Sequence, residues 1–148
     1  MNKKMNYSGR AVACFNEGFS CSQAILSTFG EELNLDKNTA MKIADGFGGG
    51  MGRMALTCGA VTGAFMVIGV KYGRISADDR EAKQKTTQLV RKFTKKFKEK
   101  NKTIVCKELM ECDISTEEGF KQAKEHNLIS TLCPKFVADA VEILEEIL

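Results

Sequence analysis

Thr57-Cys58-Gly59-Ala60-Val61-Thr62-Gly63-Ala64-Phe65-Met66-Val67-Ile68-Gly69-Val70-Lys71-Tyr72-Gly73 is the stretch whose reading decides the fold. Its apolar run, Ala60 to Val70, is about half the length a bilayer crossing requires, and Gly63 and Gly69 interrupt it. It lacks the apolar–polar alternation of a half-buried strand. The run therefore reads as a buried helix from Cys58 to Lys71, capped by Thr57 and closed by Tyr72-Gly73. Gly59, Ala60, Gly63 and Ala64 would let a neighbouring backbone come close.

Upstream, Ser8 is expected to cap a first helix to about Glu17, with Val12 and Phe15 inward and Gly18 ending it. A second begins near Ser20-Cys21 and carries Ala24, Ile25, Leu26 and Phe29 toward Leu33. Asp36 caps a third, up to Ala44. Downstream, Ser76-Ala77-Asp78-Asp79 opens a long helix to about Lys100 with Leu89, Val90, Phe93 and Phe97 as its apolar stripe. A short helix holds Cys106 and Leu109, and Ser115-Thr116-Glu117-Glu118 caps another that ends at His126-Asn127. The last starts near Thr131-Leu132-Cys133-Pro134, because proline suits a first turn. No segment alternates like a strand. The expectation is an all-α fold, one domain over 1–148 built as an array of about six to seven helices, with 1–6 disordered.

Length and charge are consistent with this. The 148 residues are 43% hydrophobic and 28% charged, with one proline and no tryptophan, which is the composition of an ordinary globular domain. A net charge of +3 does not by itself call for nucleic acid or an anionic membrane. Met1-Asn2-Lys3-Lys4-Met5-Asn6-Tyr7 lacks a secretory apolar stretch, so the expected location is the cytoplasm. The lone histidine, His126, stands at a helix end and reads as structural. Arg91-Lys92-Phe93-Thr94-Lys95-Lys96-Phe97-Lys98 places its phenylalanines on one face and its lysines elsewhere, as a solvated helix does. An acidic redox partner is the alternative use of those lysines. Nucleic acid and membrane insertion are not expected, and association with a second copy of the chain stays open.

Six cysteines, Cys14, Cys21, Cys58, Cys106, Cys112 and Cys133, contain no C-x-x-C pair. In a reducing compartment they point to metal, redox chemistry or packing rather than to structural disulfides. Cys21, Cys58, Cys106 and Cys133 each fall at or near a predicted helix N-terminus, where free N–H groups and the helix dipole favour thiolate. Between Gly46 and Gly52, five of seven residues are glycine, so this loop can adopt backbone angles that other residues avoid. Gly50-Met51-Gly52-Arg53-Met54-Ala55 fits a loose dinucleotide pattern, but no strand precedes it, and that pattern has its warrant only in a βαβ unit. The better reading wraps Gly48, Gly49 and Gly50 close to the cysteines, offers N–H groups to sulfur, and brings in the charge of Arg53.

The residues Gly18 to Ala24, the Gly46–Arg53 loop, Thr57-Cys58-Gly59-Ala60-Val61-Thr62-Gly63-Ala64, Cys106-Lys107-Glu108-Leu109 and Cys133-Pro134-Lys135-Phe136 resemble the redox-active family named for its cysteine pattern, C_GCAxxG_C_C. The resemblance covers nearly the whole chain, and its shared cysteines fall on Cys21, Cys58, Cys106 and Cys133. It implies a redox role, and related domains are associated with iron–sulfur ligation. On that reading the four cysteines bind an iron–sulfur cluster for electron transfer or redox sensing, with Gly48, Gly49, Gly50, Arg53 and Gly59 around it. Structural zinc would accept the same ligands. A metal-free alternative makes Cys58 or Cys133 a thiolate that attacks a disulfide, with a neighbouring cysteine resolving the product. A helical binding module whose cysteines merely pack is a third. Cys58, with its helix start, cap and Arg53, is expected to be the most reactive thiol, and Cys14 the least.

Overall fold

The computed structural model describes residues 6–148, so the expectation for 1–5 lies outside the described residues. Asn6 is in place as the N-cap of the first helix, accepting from the Gly9 amide at 2.7 Å. The described residues form eight helices: α1 (Tyr7–Asn16), α2 (Cys21–Gly30), α3 (Lys37–Asp45), α4 (Gly59–Tyr72), α5 (Arg80–Asn101), α6 (Cys106–Met110), α7 (Glu117–Glu125) and α8 (Leu128–Ile147). The class is all-α, as expected. The count exceeds six to seven, and the short helix expected around Cys106 and Leu109 is α6, five residues closed by Glu111 in the left-handed region. Thr57 and Val105 form an isolated antiparallel bridge.

The central element is α2, buried along its whole length from Cys21 to Gly30. It packs against α1, α3, α4 and α8. Its polar residues are tolerated because they find partners: Ser22 Oγ donates to the Ala44 carbonyl at 2.8 Å, and Gln23 Nε2 donates to the Met41 carbonyl at 3.0 Å. Ser20 and Gln23 close a capping box over its first turn. Against it lies α4, on the glycine stripe anticipated from the sequence. A Cβ on Gly63 would stand 3.0 Å from Ile25 Cβ and 3.1 Å from Ser22 backbone, and one on Gly59 would stand 3.1 Å from the Ser22 amide nitrogen. Among the described residues no helix is long and apolar enough to cross a membrane. Phe93 and Phe97 of α5 are fully buried, their rings stacked at 5.9 Å, which confirms the inward stripe.

Helix starts move by a few residues. Asn6 rather than Ser8 caps α1, Cys58 rather than Thr57 is the N-cap of α4, Asp79 opens α5, and Thr116 rather than Ser115 caps α7. The consequential correction concerns α8, which begins at Leu128 and not near Thr131. Asn127, left-handed with φ +53°, joins α7 to α8 directly. The hydroxyls of Ser130 and Thr131 turn back to its carbonyl at 3.2 and 2.7 Å. Cys133 therefore sits in the second turn of α8, away from its N-terminus. Pro134 lies inside the helix and has no N–H to give the Ser130 carbonyl four residues earlier.

Candidate functional site

The glycine loop is built from an uncommon backbone. Gly49, Gly50, Met51, Gly52 and Arg53 have φ of +66, +72, +68, +59 and +57° in succession, and Ala55 follows at +58°. Residues with a Cβ carry about 1–2 kcal/mol of steric cost in this region, so glycine at alternate places makes the coil accessible. The coil is closed by its own hydrogen bonds: Gly52 N–H to the Gly46 carbonyl at 2.7 Å, Arg53 to Gly48 at 3.1 Å, Ala55 to Gly49 at 3.1 Å, and Leu56 to Gly50 at 2.9 Å. The amides of Gly52, Arg53, Ala55 and Leu56 are thus engaged by loop carbonyls.

Beyond the coil, the Thr57–Val105 bridge ties the chain to the start of α6. Cys58 N–H donates to the Ile104 carbonyl at 2.8 Å and Cys106 N–H to the Leu56 carbonyl at 2.5 Å. Gly50 must lack a side chain here, because a Cβ would fall 2.7 Å from Cys106 Cβ and 2.6 Å from the Leu56 amide nitrogen. Gly59 does the same on the other side, where a Cβ would stand 3.2 Å from Cys21 Cβ.

The result is one cavity of about 700 Å³. Cys21, Cys58, Cys106 and Cys133 all line it, and so do Gly48, Gly49, Gly50, Arg53 and Gly59. Residues spread over more than a hundred positions of sequence are gathered by α2, the coil, α4, α6 and α8. Cys21, Cys58 and Cys106 are buried, while Cys133 is half-buried with its Sγ 3.8 Å from Met110 Sδ. Cys14 and Cys112 do not line it. Cys14 lies 3.8 Å from Ser27 Oγ, and Cys112 donates to the Gly119 carbonyl at 3.1 Å.

Electrostatics reverse the expected ranking of thiols. Burial pushes the Cys58 thiol up from 9.0 to about 12, against the pull of the Ala60 and Val61 amides at the start of α4. Cys106 is pushed up to about 11, again by burial first, with Cys133, Asp113 and Cys112 adding to it. Desolvation of an anion outweighs the roughly half charge of a helix end. Cys133 moves the other way: a hydrogen bond from the Cys21 thiol lowers it, against burial. Cys21 is correspondingly raised well above the ordinary range, first by that bond and then by burial. Cys14 is raised by burial, as expected.

Arg53 is not among the groups that shift the Cys58 thiol. Its guanidinium sits 4.0 Å from the ring centroid of Phe120, which the ammonium of Lys124 also approaches at 4.2 Å. Phe120 and Met110, both lining the cavity, were not singled out by the sequence. A single apolar residue on a helix carries no signal that separates a cavity wall from a core.

Among the described residues, no three or more His, Cys, Asp or Glu side chains are gathered so as to hold one metal ion. The four cysteines come from the start of α2, the N-cap of α4, the start of α6 and the second turn of α8. A family model described as a putative redox-active protein (C_GCAxxG_C_C) matches residues 19–147. Neither the curated proteins nor the solved structures compared with the chain contain a significant match.

Proposed function

The chain belongs to the C_GCAxxG_C_C family of redox-active proteins, and from that premise we propose that it exchanges electrons through a thiol pair in which Cys133 attacks and Cys21 resolves. The observation that carries this reading is that Cys21 and Cys133 line the same cavity and act on one another there, the Cys133 thiol lowered and the Cys21 thiol raised. The Cys133 thiolate attacks one sulfur of a substrate disulfide, forming a mixed disulfide and releasing one substrate thiolate. Cys21 then gives up its proton to that thiolate and attacks the Cys133 sulfur. A Cys21–Cys133 disulfide forms, the second substrate thiolate leaves, and two electrons have passed from the protein to the substrate. Cys58 and Cys106, held protonated by burial, take no step. Gly48, Gly49, Gly50 and Gly59 keep backbone close without filling the space.

A second reading uses the same residues as ligands, and the breadth of the cavity favours it. A [2Fe–2S] or [4Fe–4S] cluster takes four thiolates on different irons, so its donors are spread where zinc's would meet at one point. Cys21, Cys58, Cys106 and Cys133 would hold it, and it would supply one-electron transfer. Structural zinc has less support from this arrangement. In either reading the exposed Arg91, Lys92, Lys95 and Lys98 of α5 suit an acidic redox partner protein, and a reducing cytoplasm suits free thiols.

Anaerobic purification with iron and sulfide analysis, followed by thiol counting before and after a mild disulfide oxidant, tests both. Loss of two thiols per chain from iron-free protein is the expected result. Stoichiometric iron and sulfide with visible absorption would move the assignment to the cluster, and no oxidisable pair and no iron would end both readings.

A further inference from the structure

The cavity is larger than two exchanging thiols require. At about 700 Å³ it falls within the size range of small-molecule pockets, about 300–1,000 Å³. Its rim carries a charge arrangement that the thiol pair does not use. Arg53 lines the cavity with its guanidinium 4.0 Å from the Phe120 ring centroid, and Lys124, outside the lining, approaches the same ring at 4.2 Å. Among the described residues, neither pairs with a carboxylate: the ion pairs of α7 and α8 involve Lys121 and Lys135 instead. A guanidinium with no acceptor presents a fork that matches a carboxylate. Asp45 is the acidic residue in the wall, and its carboxylate accepts from Gln23 Nε2 at 3.3 Å. The rest of the wall is mainly apolar and aromatic, with Phe15, Phe19, Leu109 and Ile129 among it, and such a lining suits the carbon chain of a small ligand.

We infer that the cavity receives a small disulfide bearing a carboxylate, the carboxylate seated on Arg53 and the sulfur–sulfur bond presented to Cys133. This rests on the thiol-pair reading and deepens it by naming a substrate class. The chemistry is the same: Cys133 and Cys21 lose two electrons and become a disulfide, and the ligand disulfide gains them and leaves as two thiols. What Arg53 adds is orientation and a preference for negative charge.

The test compares three disulfides of similar size, the anionic 3,3′-dithiodipropionate, the neutral 2-hydroxyethyl disulfide and the cationic cystamine, as oxidants of the reduced full-length protein at low ionic strength. Alongside them, calorimetry measures binding of suberate, the dicarboxylate in which methylenes replace the two sulfurs. The anionic disulfide should react about tenfold faster than the neutral one. Arg53→Gln should remove most of that preference and most of the suberate binding, while Lys83→Gln, the same charge change at an exposed position of α5, should leave both in place. Equal rates for all three disulfides, or a preference that Arg53→Gln does not touch, would overturn the proposal while leaving the thiol pair standing. Suberate binding that depends on Arg53, with no disulfide reduced, would overturn the thiol pair and with it the substrate class, leaving only a carboxylate site.

Discussion

Cys21 of α2 and Cys133 of α8 line one cavity, and the two thiols respond to each other in opposite directions, Cys133 lowered and Cys21 raised well above the ordinary range. Thiolate at Cys133 is thus favoured while its neighbour stays protonated. Iodoacetamide at neutral pH should therefore modify Cys133 before Cys21, Cys58 or Cys106. Cys21→Ala should move the alkylation of Cys133 to higher pH, whereas Cys21→Ser, which keeps an O–H donor, should move it less. Peptide-resolved labelling across a pH series reads both effects. An unchanged Cys133 profile in Cys21→Ala would show that Cys21 does not control its acidity.

Burial of uncharged thiols should also make the reduced protein sensitive to alkali. Cys58 is held at about 12 against an ordinary 9.0, and Cys106 at about 11, so above pH 9 the unfolded chain loses protons that the folded chain keeps. With fewer protons bound to the unfolded state, stability falls as pH rises. The loss begins near pH 9 and is complete for Cys58 only above about 12, where it reaches about 4 kcal/mol, at about 1.4 kcal/mol per unit. Cys58→Ser removes this titration and puts a preferred N-cap residue at the start of α4. Urea denaturation between pH 7 and 11 should show a flatter decline for that variant, and a parallel decline would contradict the assignment.

Two glycines of the left-handed coil separate conformational cost from crowding. Gly52 at φ +59° has only the Gly46 carbonyl oxygen near a built Cβ, at 3.9 Å, whereas at Gly50, φ +72°, a Cβ meets Leu56 and Ala55 backbone and Cys106 within 2.8 Å. Gly52→Ala should cost about 1 kcal/mol. Gly50→Ala should cost about 3 kcal/mol, because backbone and the start of α6 must move. Thermal denaturation measures the difference, and equal losses would remove the packing argument.

The cysteines outside the cavity should be dispensable. Cys14→Ala, at a half-buried site on α1, should cost about 1 kcal/mol and leave oxidation of the thiol pair intact. Cys112→Ala should act alike, losing its bond to the Gly119 carbonyl. Thiol titration of either variant under oxidant is the check, and loss of the oxidisable pair would enlarge the site.

What the sequence made legible were features written in residue type. Gly59 and Gly63 announced a close helix contact because small residues have few other uses on an apolar face, and Phe93 with Phe97 announced the buried side of α5 by their spacing. The left-handed coil was foreshadowed by its glycines. What stayed hidden depends on neighbours remote in sequence. Thr131 and Pro134 look like a helix start, but the left-handed turn at Asn127 sets the true one, and no residue type declares that angle. Cys58 looked acidic from its helix position, yet its thiol is governed by the depth at which α2, α4 and α6 enclose it. Phe120 and Lys124 reach Arg53 only through the packing of α7 beside the coil.

The most direct test of the thiol pair is disulfide mapping of the full-length, iron-free protein after mild oxidation, with free thiols blocked and proteolytic peptides separated without reductant. The account predicts one dominant cross-link, joining the peptide that contains Cys21 to the peptide that contains Cys133, with Cys58 and Cys106 recovered as blocked thiols. A dominant Cys58–Cys106 link, which the Thr57–Val105 bridge places within competing range, or four thiols left unoxidised, would contradict it.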